Sequence, residues 1–112
     1  MKTRGAAAEQ QAAAYLQQNG LLLVESNFSC RFGEVDLVMK DGAVLVFVEV
    51  RLRGSSIFGG AAASITTAKQ SKIIKAAQFY LQGLKVQPPC RFDAVLLDNS
   101  GQLEWIKHAF EA

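Results

Sequence analysis

Between Gly33 and Arg53 the chain reads GEVDLVMKDGAVLVFVEVRLR, two valine-rich runs hinged on an Asp-Gly pair. Successive strand side chains point to opposite faces, and Asp-Gly suits a two-residue turn, so this stretch predicts a β-hairpin. With Asp41-Gly42 as the turn, Lys40 pairs with Ala43, Asp36 with Phe47 and Glu34 with Glu49. One face then carries Val35, Leu37 and Met39 with Val44, Val46, Val48 and Val50. The other carries Glu34, Asp36, Val38 and Lys40 with Ala43, Leu45, Phe47, Glu49 and Arg51. A slip of one residue would mix carboxylates into the apolar face, so the alternation resists it.

Three acids and one arginine thus converge at one end of the mixed face. Like charges opposed across a strand pair cost up to about 1 kcal/mol. Arg51, protonation of one acid, or a divalent cation between them would offset that cost. Carboxylates around an open coordination sphere suit Mg²⁺ or Mn²⁺, hard ions that favour oxygen ligands. The chemistry such a centre serves best is phosphodiester hydrolysis, with Arg51 on the same face to bind the scissile phosphate or steady the charge of the transition state. A ladder of salt bridges on a solvent-facing sheet accounts for the same residues. Against it, Val38, Leu45 and Phe47 require that face to be covered, and buried carboxylates need partners.

The rest of the chain supplies the cover. Residues Gly5 to Gln18 are rich in alanine and glutamine, with Ala8, Ala12, Tyr15 and Leu16 on one helical face and Asn19-Gly20 as the stop. Glu9 falls about 20° from Leu16 around that helix, at the edge of the apolar face. Leu21 to Glu25 predicts a short strand, and the polar NFSCR a connector, before the strands at Glu34 to Lys40 and Ala43 to Leu52. Residues 54–67 are rich in Gly, Ser, Ala and Thr without periodicity, and are expected to form a mobile loop. Ile73, Ile74, Ala77, Tyr80, Leu81 and Leu84 recur at helical spacing over Ala68 to Leu84, in a helix that begins with Lys69, Lys72 and Lys75. After Pro88-Pro89, residues 91–98 and 102–110 predict a second hairpin about DNSG.

The expected order is therefore α-β-β-β-α-β-β, an α/β fold with a mixed central β-sheet flanked by helices, in one domain spanning residues 1–112. Were the sheet mostly antiparallel, α+β would describe it better.

No run approaches the 18 to 20 or so apolar residues that span a bilayer, and the start, MKTRGAAAEQQ, lacks a signal peptide's hydrophobic region; the expectation is a cytoplasmic protein without membrane contact. Cys30 and Cys90 form no CxxC and the chain has one histidine, His108, which argues against a zinc site or redox motif. The net charge of +2 permits a nucleic-acid partner without establishing one. What matters is the track made by Arg51, Arg53, Lys69, Lys72 and Lys75, where cations in a first helical turn run against the helix dipole and an anionic partner would give them a reason.

Read together, GAAAEQQAAAYLQQNG, then NFSCRFGEVDLVMKDGAVLVFVEVRLR, TAKQSKIIKAAQFYL, RFDAVLLD and the closing HAF resemble the YraN-like family of the PD-(D/E)XK nuclease superfamily, which is similar to archaeal Holliday-junction resolvases. The resemblance covers nearly the whole chain and implies a restriction-endonuclease-like fold and a metal-dependent endonuclease acting on DNA, branched DNA by analogy. Position by position it implies Asp36 and Glu49 as metal-binding acids, the Val50 carbonyl as a further ligand, and Glu34 as a frequent neighbouring acid. It also implies Glu9 as the first-helix glutamate that reaches the site and Lys69 as a basic residue opening the next helix. Resolvase-like relatives imply a two-fold homodimer. Arg51 departs from the motif, which ends in lysine. Arginine stays protonated and cannot serve as a base. A nuclease fold that binds nucleic acid without turnover, or a protein-interaction domain, are the competing expectations.

Overall fold

The structure, a computed structural model, describes residues 3–52, 65–98 and 100–112. Its elements are α1 (Thr3–Gln18), β1 (Leu22–Cys30), β2 (Gly33–Asp41), β3 (Val44–Leu52), α2 (Thr67–Gln82), β4 (Cys90–Leu97) and β5 (Leu103–Phe110). The order is the expected one, and it is consistent with a restriction-endonuclease-like fold. Arg53 and the segment 54–64 of the expected loop lie outside the described residues.

The five strands form one mixed sheet in the spatial order β1-β2-β3-β4-β5. β3 and β4 are parallel and the other neighbouring pairs antiparallel. A parallel pair needs a crossover rather than a hairpin, and α2 lies on that crossover. Each helix covers one face. Ala8, Ala12, Ala13 and Leu16 of α1 pack on Leu37, Met39, Val46, Val48, Val95 and Leu97. Ile73, Ala76 and Ala77 of α2 pack on Val38, Leu45, Phe47, Phe92 and Ala94.

Local chemistry sets the helix ends. Gly20 takes the left-handed conformation (φ 96°), its N–H donates to the Gln17 carbonyl at 3.1 Å, and the N–H of Leu21 donates to the Leu16 carbonyl at 3.1 Å. That is a Schellman stop, with Leu16 and Leu21 both in the core beneath it. At the start of α2 the Thr66 hydroxyl accepts from the Lys69 N–H at 3.2 Å, an N-cap that fixes where the helix begins.

Three expectations are corrected. β1 runs on through the polar NFSC to Cys30, because an edge strand paired along its length with β2 can carry polar side chains. The β2–β3 turn is Gly42-Ala43, not Asp41-Gly42: Asp41 pairs with Val44, Lys40 with Leu45 and Val38 with Phe47. Only the first turn residue, Gly42, needs positive φ (62°), so glycine carries the strained position and Asp41 is spared it. Finally, Val35 packs with Val38 in the α2-side core instead of with Leu37. Two residues three apart on one side mean that the alternation breaks between them, at Asp36.

Candidate active site

The β2–β3 ladder stops at Leu37↔Val48. Beyond it, Asp36 occupies the place a backbone partner would take, its Oδ2 accepting from the Val50 N–H at 2.9 Å. The strands part there because a carboxylate has replaced the next ladder bond. On the other side of β2, the β1 ladder also skips a pair, between Ser26↔Leu37 and Phe28↔Val35, where Asn27 takes φ 55°.

The gap opens into a cleft of about 160 Å³ lined by Glu9, Glu34, Asp36, Glu49, Val50, Arg51 and Lys69. α1 supplies Glu9, and β2 supplies Glu34 and Asp36. β3 supplies Glu49, Val50 and Arg51, and the first turn of α2 supplies Lys69. Glu9 and Asp36 are 6% exposed and Glu49 is 4% exposed, so three acids are buried at a cleft rather than spread on a solvated surface. Lys69 Nζ lies 3.1 Å from Glu49 Oε2, and an Arg51 guanidinium nitrogen lies 3.7 Å from the same oxygen.

Burial pushes the Glu49 carboxyl up from its ordinary 4.5 to about 7; the Asp36 charge adds to the rise and the Lys69 ammonium opposes it. A carboxyl raised by burial and by a neighbouring carboxylate is an environment a dication would relieve. In a strand the N–H and C=O of one residue point to the same side. The Val50 carbonyl therefore faces the Asp36 side, as its N–H does. Among the described residues no three Asp, Glu, His or Cys side chains are grouped to hold a metal ion. Protein ligands in this cleft would be the Asp36 and Glu49 carboxylates and the Val50 carbonyl, with the expected Glu9 also lining it, an oxygen set that fits Mg²⁺ or Mn²⁺, which keep several waters, better than ions that demand a closed cage.

The family model described as "Uncharacterised protein family UPF0102" matches residues 8–97. The chain belongs to the UPF0102 family. It is 54% identical over 110 residues to a UPF0102 protein of Nitrosomonas eutropha, covering 98% of this chain and 95% of that one. It is 57% identical over 108 residues to one from a Janthinobacterium species (96% and 87% covered) and 58% identical over 109 residues to one from Dechloromonas aromatica (97% and 89%). The span matched to UPF0102 takes in every cleft residue and ends with β4, before β5 begins.

Of the site residues expected from the sequence of this UPF0102 chain, Lys72 stands outside the cleft, in an adjoining groove that shares Glu34 and Lys69 with it. Lys75 is exposed farther along α2, and Arg53 lies outside the described residues. Among the described residues no helix is long and apolar enough to cross a membrane.

Sequence reasoning missed a second polar cluster. Asp93, fully buried in β4, accepts from Arg91 Nε at 3.0 Å, from Trp105 Nε1 at 3.0 Å and from the His108 N–H at 3.1 Å. Arg91 reaches on to Asp41 at 3.0 Å. This cluster ties the β2–β3 turn to β4 and to an irregular stretch of β5 where the register with β4 shifts and His108 takes φ 54°. The signal available was a lone aspartate in the apolar run FDAVLL.

Proposed function

We propose that this protein is a metal-dependent endonuclease of the PD-(D/E)XK type that hydrolyses phosphodiester bonds in DNA, branched DNA by its likeness to the archaeal resolvases. The observation that carries the reading is the buried meeting of Asp36 and Glu49 where β2 and β3 part, with Lys69 at 3.1 Å from Glu49. The order of GEVDLV and FVEVRLR supports it further.

In this reading Asp36, oriented by the Val50 N–H, holds Mg²⁺ or Mn²⁺ together with Glu49 and the Val50 carbonyl. When bound, the ion supplies charge neutralisation at the phosphate and lowers the pKa of water. Arg51 donates to a non-bridging phosphate oxygen and steadies the negative charge of the transition state. Lys69, beside Glu49, hydrogen-bonds and orients the attacking water; Arg51 does not serve as that water's base, because a guanidinium does not give up a proton. The basic residues Arg53, Lys72 and Lys75 hold the phosphate backbone by charge, without reading bases. Handling two strands of a branch would take two copies of the chain.

Arg51 in the lysine position favours one other reading, a nucleic-acid-binding module without turnover. Incubation with linear, single-stranded and four-way-junction DNA in Mn²⁺ or Mg²⁺ separates the two. The endonuclease reading expects cleavage by the wild type and loss in Asp36→Ala and Glu49→Ala. No cleavage by wild type, or equal cleavage by the variants, would sink it. Salt-dependent DNA binding without cleavage would leave the binding module, and no binding at low salt would leave an interaction domain.

A further inference from the structure

Next to the cleft two large aromatic side chains stand in the open. Phe32, in the turn between β1 and β2, is 38% exposed, and Phe79 on α2 is 41% exposed. Their ring centroids are 5.9 Å apart and inclined at 60°, and the Arg31 guanidinium lies 5.0 Å from the Phe32 centroid. Scattered exposed apolar residues are ordinary, but paired rings with a cation over one of them form a patch.

The patch is continuous with basic residues and with the cleft. Lys72, Lys75 and Phe79 share one stripe of α2, within about 60° of each other around the helix. Lys72 lies against Gly33, the residue after Phe32: a Cβ at Gly33 would stand 3.3 Å from the Lys72 Cβ. From there a groove of about 390 Å³, lined by Gly33, Glu34, Thr66, Lys69 and Lys72, leads to the carboxylates.

Exposed rings interleaved with cations are the arrangement that binds single-stranded nucleic acid: bases stack on the rings while phosphates meet the cations. Bases inside a duplex are already stacked and offer no face to a surface ring. We infer that the Phe32–Phe79 patch takes unpaired bases, so that the strand delivered to the cleft is single-stranded DNA or the single-stranded part of a branched or flapped molecule. This inference rests on the nuclease reading for what happens at the cleft, but the patch is tested without cleavage.

The full chain is titrated in EDTA against a labelled oligothymidylate of about 12 nucleotides and against a blunt duplex of the same length, read by fluorescence anisotropy. The single strand is expected to bind more tightly. Phe32→Leu and Phe79→Ala each weaken it by about fivefold or more and leave the duplex unchanged, while Phe32→Tyr and Phe79→Tyr retain it. Should Phe79→Ala not fold, the Phe32→Leu and Phe32→Tyr pair decides. Equal wild-type affinity for the two forms, or unchanged single-strand binding in Phe32→Leu, overturns the inference. So does a change of oligomeric mass in Phe32→Leu without a change in binding, which would assign the patch to a second copy of the chain. Cleavage in Mn²⁺ with no single-strand preference sinks this inference alone, and single-strand preference without cleavage sinks the nuclease reading alone.

Discussion

Lys69 Nζ and Glu49 Oε2 lie 3.1 Å apart, joining the first turn of α2 to the strand that precedes the crossover. The lysine faces a buried carboxylate of the cleft, which answers why a cation stands in a helical first turn that carries no acid. Replacing it removes the nearer of the two cations beside the Glu49 carboxyl, which holds that carboxyl down. In Lys69→Met, Glu49 is expected to titrate above about 7, followed by side-chain carboxyl NMR across pH in EDTA. DNA cleavage in Mn²⁺ is expected to fall roughly 10²- to 10³-fold, as when a preorganised donor is removed. An unmoved Glu49 titration would mean that the pair does not persist in solution.

Stability without metal should fall as pH rises. The Glu49 carboxyl is raised from 4.5 to about 7 in the folded chain, so between those values the unfolded chain releases its proton first. Its contribution is fully present below pH 4.5, declines through the interval and is gone above about 7, a span on the order of 3 kcal/mol. Urea midpoints of wild type and Glu49→Gln, taken at several pH values in EDTA, isolate it. The wild type should lose ground to the variant from acid to alkaline pH, and parallel curves would contradict the assignment.

Relieving the carboxylate pair should cost little until metal is present. Asp36→Asn keeps an oxygen for the Val50 N–H, and both it and Glu49→Gln are expected to melt at or above the wild-type temperature in EDTA at pH 8. Added Mn²⁺ should raise the wild-type Tm more than either variant's, since an ion that binds only the folded chain stabilises it in proportion to its affinity. Heavy destabilisation of both variants in EDTA would instead make the cleft a structural salt-bridge cluster.

Asp93 is expected to be structural. Asp93→Ala leaves the Arg91 guanidinium with Asp41 alone and strands the Trp105 indole N–H, and the loss of one partner from a buried ion pair costs about 3 to 5 kcal/mol. The urea midpoint should drop accordingly. Metal affinity of the folded fraction, measured by calorimetry, should not change, because Asp93 lies outside the cleft. A lost metal affinity in a folded Asp93 variant would show that the two clusters are coupled.

Much of this molecule is legible along the chain. The helical spacing of Ile73, Ala77 and Leu81, the Asn19-Gly20 stop and the alternation from Val35 to Leu52 each report a local periodicity, and each corresponds to an element within a few residues of its expected limits. Part of the candidate site was legible for a related reason: Glu49 and Arg51 share a side of β3 by counting by twos, whereas the alternation of β2 breaks at Asp36. Glu9 was harder, because an acid at the edge of an apolar helical face can be solvated or buried, and only the packing of α1 on the sheet buries it.

What the sequence by itself determined was, Val35 excepted, which side chains are apolar on which face, and so the elements, their order and the grouping of the acids at one end of a hairpin. It could not determine the register within that hairpin. A shift of two residues leaves every side chain on its face, so the pattern reads the same with the turn at Asp41-Gly42 or at Gly42-Ala43, and the strain-free use of Gly42 decided between them. Nor could periodicity foresee that Asp36 would end the ladder by bonding the Val50 N–H, or that Lys69 would cross from α2 to Glu49. Those contacts join residues far apart in sequence, and only the packing of α2 on the sheet brings them within reach.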